Sequence, residues 1–230
     1  MKTIGMIGGM SWESSVEYYK LVNEGIHEEL GGVHSAKCVM VSVDFAEVEV
    51  LQKEGRWPEA TQDMIKAARQ VQAAGADFLL ICTNTMHKMA DEVQAAISIP
   101  LLHIADAAAE AVKSAGLRKI GLLGTRFTMQ GDFFKGRLAD KFGLDVITPS
   151  EEDQTIIHEV IYNELVVGKI EPASKMAYLA IIEKLAQSGA QGVILGCTEI
   201  GLLVKQSDCI LPLFDTTLLH AQAAVEEALR

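Results

Sequence analysis

The sequence holds few residues of several kinds, and each scarcity narrows what the chain can be. Its four cysteines, at 38, 82, 197 and 209, stand far apart and form no C-x-x-C pair. That spacing argues against a secreted disulfide framework and for reduced thiols in a cytoplasmic setting. The six histidines (27, 34, 87, 103, 158 and 220) include no H-x-H or H-x-x-x-H pair, and no acidic cluster has ligand spacing, so no metal site is expected. No run of about 18 apolar residues occurs, and no apolar signal region follows Met1, so a membrane span is not expected. Basic residues are outnumbered 20 to 31 by acidic ones, a formal net charge of −11 that repels nucleic-acid backbones and anionic lipid surfaces. Aromatics make up only 6%.

What is abundant is aliphatic. Hydrophobic residues reach 49%, enough to bury a sizeable core in 230 residues, and the dominance of Ala, Leu, Ile and Val suits parallel strands covered by helices. Short apolar runs predict strands at Thr3–Ile7, Cys38–Val43, Phe78–Cys82, Lys119–Leu123, Asp145–Ile147 and Gly192–Leu195. Amphipathic stretches between them predict helices at Glu13–Leu30, Trp57–Ala74, Ala105–Ala115, Gln154–Val167 and Pro172–Ser188. Strand alternating with helix reads as an α/β fold with parallel sheets.

An internal repeat organises these elements. Lys2-Thr3-Ile4-Gly5-Met6-Ile7-Gly8 is echoed by Arg118-Lys119-Ile120-Gly121-Leu122-Leu123-Gly124. The run Ala74–Asn84 is echoed by Ser188–Thr198, and Ile99-Pro100-Leu101-Leu102 by Leu211-Pro212-Leu213-Phe214. The offsets are 116, 114 and 112 residues, nearly constant. Three echoes in the same order imply two pseudosymmetric lobes, each a parallel sheet flanked by helices, with the active site expected in the cleft between them. The boundaries expected are 1–98 plus 212–230 for the first lobe and 99–211 for the second.

The second echo sets Thr83 opposite Cys197, Asn84 opposite Thr198 and Thr85 opposite Glu199. Both tripeptides follow their strands directly, where open α/β sheets bind ligands. Gly196-Cys197-Thr198-Glu199 is the sharpest motif. A buried Cys is commonly a small apolar filler, but a thiol just past a strand end, followed by hydrogen-bonding side chains, reads as reactive. A helix N-terminus there can lower its pKa from about 8.5. Thr83-Asn84-Thr85 is either a carboxylate site or a plain helix cap. Cys82, one residue earlier, alternates away from Thr83 and reads as core. Gly5-Met6-Ile7-Gly8-Gly9-Met10-Ser11 fails the G-x-G-x-x-G spacing, so it reads as a turn that brings Met10 and Ser11 to a small ligand. Thr125, in the matching turn of the second lobe, is a further contact, while Arg126 reads equally well as a surface or inter-lobe ion-pair partner.

Together Gly8-Gly9-Met10-Ser11-Trp12, Thr83-Asn84-Thr85-Met86-His87 and Gly196-Cys197-Thr198-Glu199-Ile200 resemble the aspartate/glutamate racemase family, and the likeness spans essentially the whole chain. It is nearest to the L-aspartate/glutamate-specific and broad-range amino-acid racemases. The resemblance implies an enzyme without pyridoxal phosphate, other cofactor or metal, a homodimer, and a last helix near Thr216–Arg230 that packs back on the first lobe. It implies a small-molecule amino-acid substrate and two acid/base residues on opposite faces of the α-carbon. The family commonly has Cys where Thr83 stands. A threonine hydroxyl is too weak an acid to act as a free base, so Cys197 is expected to take the proton and Thr83 to donate or relay one, favouring the L-substrate. Met10, Asn84, Thr85, Thr198 and Glu199 are the implied head-group contacts, with Gln52, in a turn after the second strand, toward the side chain. No Lys or Arg can be set against a second carboxylate, so neutral substrates such as homoserine stay open. The alternatives are a thiol-dependent maleate or hydantoin isomerase and a non-catalytic amino-acid binder.

Overall fold

The computed structural model describes residues 1–230 and divides into two compact units, Met1–His103 with His220–Arg230, and Ile104–Leu219. Both are parallel α/β units. The expected boundaries at 98/99 and 211/212 are therefore corrected to 103/104 and 219/220. The cause is strand pairing. Leu79 N donates to Pro100 O and Leu102 N to Leu79 O, which tie residues 100–102 to the first sheet. In the second unit, Val193 N donates to Pro212 O, and the strand that follows Pro212 joins that unit's sheet.

In the first unit, β1 (Ile4–Gly8), α1 (Trp12–Leu30), β2 (Cys38–Ser42), α2 (Phe45–Lys53), α3 (Trp57–Ala73), β3 (Phe78–Ile81), a 3-10 turn (Thr85–Met89) and α4 (Ala90–Ala95) follow one another. The sheet order is β2-β1-β3, all parallel. β1 and β3 are buried along their whole length, so both read in sequence as unbroken apolar runs. Alternate residues feed two cores. Ile4, Met6, Phe78 and Leu80 meet Tyr18, Val22 and Ile26 of α1, whereas Ile7, Leu79 and Ile81 meet Met64, Ala68 and Val71 of α3. α1 begins at Ser11, whose Oγ accepts from Ser14 N, and carries Glu13 in its first turn, where the helix dipole favours an acid.

The second unit runs α5 (Ile104–Ser114), β4 (Lys119–Gly124), α6 (Arg126–Gln130), α7 (Asp132–Phe142), β5 (Asp145–Ile147), α8 (Glu151–Asn163), α9 (Pro172–Gln187), β6 (Val193–Gly196), α10 (Ile200–Leu203), β7 (Leu213–Asp215) and the start of α11 (Thr216–Leu229). Its sheet is β5-β4-β6-β7, so its first three strands repeat the order of the other sheet. Leu123, Val193 and Leu195 pack under α8 and α9, and Ile120, Leu122 and Ile194 under α5 and α7. The third echo diverges here. In the second unit it forms β7, while in the first it makes only one bridge, Leu79 to Leu101.

The central glycine of the repeated strand motif has one physical reason in both units. A Cβ on Gly5 would lie 2.4 Å from Val71 Cγ1, and one on Gly121 2.9 Å from Leu185 Cδ1, so its absence lets α3 and α9 lie close on their sheets. From His220 onward α11 belongs to the first unit. Ala221, Ala224, Val225 and Ala228 fill the core around Ile4 and Tyr18, with small residues that allow close approach. The predicted helix at Gln154–Val167 instead starts at Glu151, capped by Ser150, and breaks after Asn163. A short 3-10 turn at Leu165–Val167 follows, ending at Gly168 in the left-handed region.

Candidate active site

Each unit presents its polar residues at the carboxyl ends of its strands. In the first unit, the segment after β1 holds Met10 and Ser11, both buried, and is fastened by Gly9 N to Ser15 Oγ at 2.7 Å. After β3 come Cys82, Thr83, Asn84 and Thr85. Cys82 N donates to Ile7 O and Thr83 N to Ile81 O, so backbone bonds fix this turn before any side chain contributes. Cys82 is 1% exposed, and burial pushes its thiol well up, as befits a core thiol. Thr83 is half-buried, whereas Asn84 and Thr85 are buried. Asn84 occupies the position before the 3-10 turn but makes no side-chain capping bond, so the plain-cap reading is not what holds it there.

Gln52 stands inside α2, not in a turn as expected. Val48, Leu51 and Gln52 are the buried face of that helix, and Gln52 Nε2 contacts Met86 Sδ at 3.2 Å. Asp44 caps the helix through Ala46 N, a start signal that outweighs the short apolar pattern.

Sequence reasoning missed a buried polar cluster behind Thr83. His87 Nδ1 lies 2.8 Å from Thr83 O, which as a carbonyl can only accept, so the ring carries its proton on that nitrogen. His87 packs against His103 at 4.5 Å with the rings tilted by 56°, and meets His220 edge-on at 5.9 Å. His220 bridges Tyr18 Oη and Leu102 O at 2.9 and 2.8 Å. These residues span more than two hundred positions, and no spacing rule joins them.

In the second unit, Thr125 caps α6, with its Oγ1 accepting from Thr128 N and lying 3.2 Å from Thr128 Oγ1. Arg126 is exposed and donates to Thr155 Oγ1, which supports its surface reading. After β6, Cys197, Thr198 and Glu199 are all buried. Cys197 Sγ donates to Glu199 Oε2 at 3.0 Å, and Thr198 Oγ1 donates to the same oxygen at 2.8 Å. Burial and then the Glu199 charge hold the Cys197 thiol well above its ordinary value, against weaker help from the Glu199 and Thr198 backbone. The expected depression by a helix N-terminus is thus reversed, because α10 spans only four residues and an acid sits beside the sulfur. Tyr178, buried and bonded to Ile157 O at 3.0 Å, is raised by burial and by the charges of Cys197, Glu164 and Glu199.

An open groove of about 890 Å³ between α2 and α3, lined by residues such as Val50, Arg56, Pro58 and Glu59, contains none of these polar residues. No helix is long and apolar enough to cross a membrane.

A buried thiol bonded to a carboxylate thus stands at the strand ends of a parallel α/β unit. The model of the Asp/Glu/hydantoin racemase family matches residues 7–224, and the chain belongs to that family. It is an enzyme, an isomerase of the amino-acid racemase class. Among solved structures, a candidate Asp/Glu racemase from Yersinia pestis is 51% identical over the full length of both chains, with a TM-score of 0.93. PH1733, an aspartate racemase homologue from Pyrococcus horikoshii OT3, is 35% identical over the full length of both, with a TM-score of 0.86. The broad specificity amino-acid racemase RacX of Bacillus subtilis is 24% identical over 171 residues, covering 73% of this chain and 71% of RacX.

Proposed function

We propose that the protein is a cofactor-independent racemase of aspartate and glutamate, with Cys197 as proton acceptor and Thr83 as proton donor or relay. The observation that carries this reading is the Cys197–Glu199 bond. A buried thiol with no acceptor is inert, but this one has a carboxylate oxygen 3.0 Å away to take its proton. The resulting thiolate removes the α-proton of the L-substrate. The electron pair left on the α-carbon spreads into the adjacent carboxylate, a proton arrives on the other face from water through the Thr83 hydroxyl, and the hydroxide left behind is neutralised by the proton that Glu199 took from the thiol. Met10, Asn84, Thr85, Thr125, Thr198 and Glu199 serve the substrate head group. Gln52, from α2, serves the side-chain end.

The Thr83 hydroxyl cannot rest as a free base, so abstraction from the D-substrate is slow and the initial rates are unequal. Thiols and hydroxyls that carry the protons leave no step that needs pyridoxal phosphate or a metal. The free state of all four cysteines suits a cytoplasmic enzyme, which we assign as a homodimer.

A second substrate reading rests on the likeness to RacX, a broad-specificity racemase, and extends the range to neutral amino acids such as homoserine. The test is α-proton exchange by NMR in D₂O with L- and D-aspartate, glutamate and homoserine. Exchange from an L-substrate that disappears in Cys197→Ala supports the racemase reading. Conversion of maleate to fumarate without amino-acid exchange would replace it with a double-bond isomerase, and hydantoin exchange alone with a hydantoin racemase. Amino-acid binding without exchange would leave a binding protein.

A further inference from the structure

We infer that His87 is a positioning residue for Thr83: its ring holds the Thr83 carbonyl and through it sets where the Thr83 hydroxyl stands. The inference rests on the racemase reading above and adds to it a residue that acts on the substrate only through another.

The turn after β3 hands to a side chain a bond that the backbone would ordinarily make. In an α-helical turn the carbonyl of residue i accepts from the N–H of residue i+4, so Thr83 O would accept from His87 N. This turn is 3-10, with tighter bonds from i to i+3, and His87 N donates to Asn84 O at 3.1 Å instead. The His87 ring takes the carbonyl so vacated, with Nδ1 2.8 Å from Thr83 O.

Thr83 is thereby pinned on both sides of its Cα. Its N–H donates to Ile81 O at 2.8 Å, and its carbonyl is held by His87. Two planar, anchored peptides fix the backbone of the residue and with it the direction of the Cα–Cβ bond. Only χ1 remains, and a β-branched side chain has few rotamers open to it. Releasing the carbonyl would let Thr83 turn about its one remaining anchor and would carry the hydroxyl with it.

The ring is itself held in place. His103 packs against it at 4.5 Å and His220 meets it edge-on at 5.9 Å, while Tyr18 Oη and Leu102 O fix His220 at 2.9 and 2.8 Å. All of these residues belong to the first unit. His87, His103 and His220 are buried, and taking polar rings out of water is costly unless they are bonded. An aliphatic residue would fill the place of His87 without that cost, but it could not donate to Thr83 O.

The experiment compares His87→Asn, whose amide nitrogen takes the place of Nδ1, with His87→Gln, whose amide lies one methylene further out. His87→Ala, which removes the donor without adding bulk, is carried as a second variant with the same expectation as His87→Gln. Each enzyme is incubated with an L-substrate in D₂O. Deuterium entering the remaining L-substrate reports abstraction and return by Cys197, and D-enantiomer formed reports delivery through Thr83. The ratio of the second signal to the first should fall about tenfold or more in His87→Gln, since a misplacement of about 1 Å can cost about 10²-fold. In His87→Asn the ratio should stay near wild type. The ratio counts only folded, active molecules, so partial unfolding of a variant does not disturb it. An unchanged ratio in His87→Gln and His87→Ala overturns the assignment. So does a fall of both signals together, because the role would then be structural. An equal loss of the ratio in His87→Asn also overturns it, because the nitrogen that bonds Thr83 would then not matter. If wild type gives neither signal, the racemase reading falls and takes the assignment with it, whereas an active wild type whose ratio the variants leave unchanged removes the assignment alone.

Discussion

Cys197 Sγ donates a hydrogen bond to Glu199 Oε2 at 3.0 Å, and both residues are buried, where water screens their interaction little. Burial and then the charge of the acid raise the pKa of the thiol, and in the proposed mechanism the same acid takes the thiol's proton. That double role gives the first two expectations.

Cys197→Ala should abolish α-proton exchange from every amino acid, a loss of about 10²–10⁴-fold or more, as for removal of a positioned acid/base group. The fold should survive, since the change removes one sulfur from a large core. Exchange above a tenth of the wild-type rate would count against Cys197 as the base.

Glu199→Gln should separate the two roles of the acid. Removing the negative charge favours the thiolate, so the pH midpoint for iodoacetamide alkylation of Cys197 should move to lower pH. Burial remains, and the midpoint should stay above that of an ordinary thiol. Exchange activity should nonetheless fall, because the amide cannot accept the sulfur's proton. A midpoint that rises or holds still would contradict the charge assignment.

Thr83→Cys should raise the initial exchange rate from the D-substrate, because it installs a group that can rest as a base where the hydroxyl cannot. Initial rates with both enantiomers in D₂O read this directly. Equal D-side rates in wild type and variant would mean that Thr83 does not stand on the proton path.

Asp106→Asn should destabilise the second unit in a pH-dependent way. Asp106 meets Arg137 Nε at 2.5 Å and Nη2 at 2.8 Å, and Lys141 Nζ at 2.6 Å. Burial alone would raise its pKa, but these cations overcome it and hold the carboxyl below its usual range. A depressed folded pKa stabilises the protein above the unfolded value of about 3.9 and is lost as pH falls through the folded value. The substitution should therefore cost about 1 kcal/mol near neutrality, and the Tm difference from wild type should shrink progressively as pH falls below about 3.9. A gap that does not narrow with falling pH would point to lost packing instead.

Much of the fold was legible because its strands are buried on both faces. β1, β3 and β6 contain little but aliphatic residues and glycine, so each appears as an apolar run of the right length. Short elements were less visible. α6 and α10 span five and four residues, too few to show a helical period, and β7 spans only three. Gln52 was misplaced because a nine-residue helix shows barely two turns of periodicity.

The sequence by itself determined the two α/β units, the repeated strand motif and the residues at the strand ends, because local apolar runs and glycine positions specify them. It also determined that Cys197 and Glu199 would be neighbours, two residues apart on one turn. Tertiary structure alone decided the state of that thiol, since burial and the rotamer of Glu199 set its proton affinity. Only the folded chain could gather His87, His103, His220 and Tyr18 behind Thr83. Contacts between residues far apart in the chain leave no period or spacing in it, because packing and pairing create them after the local elements have formed.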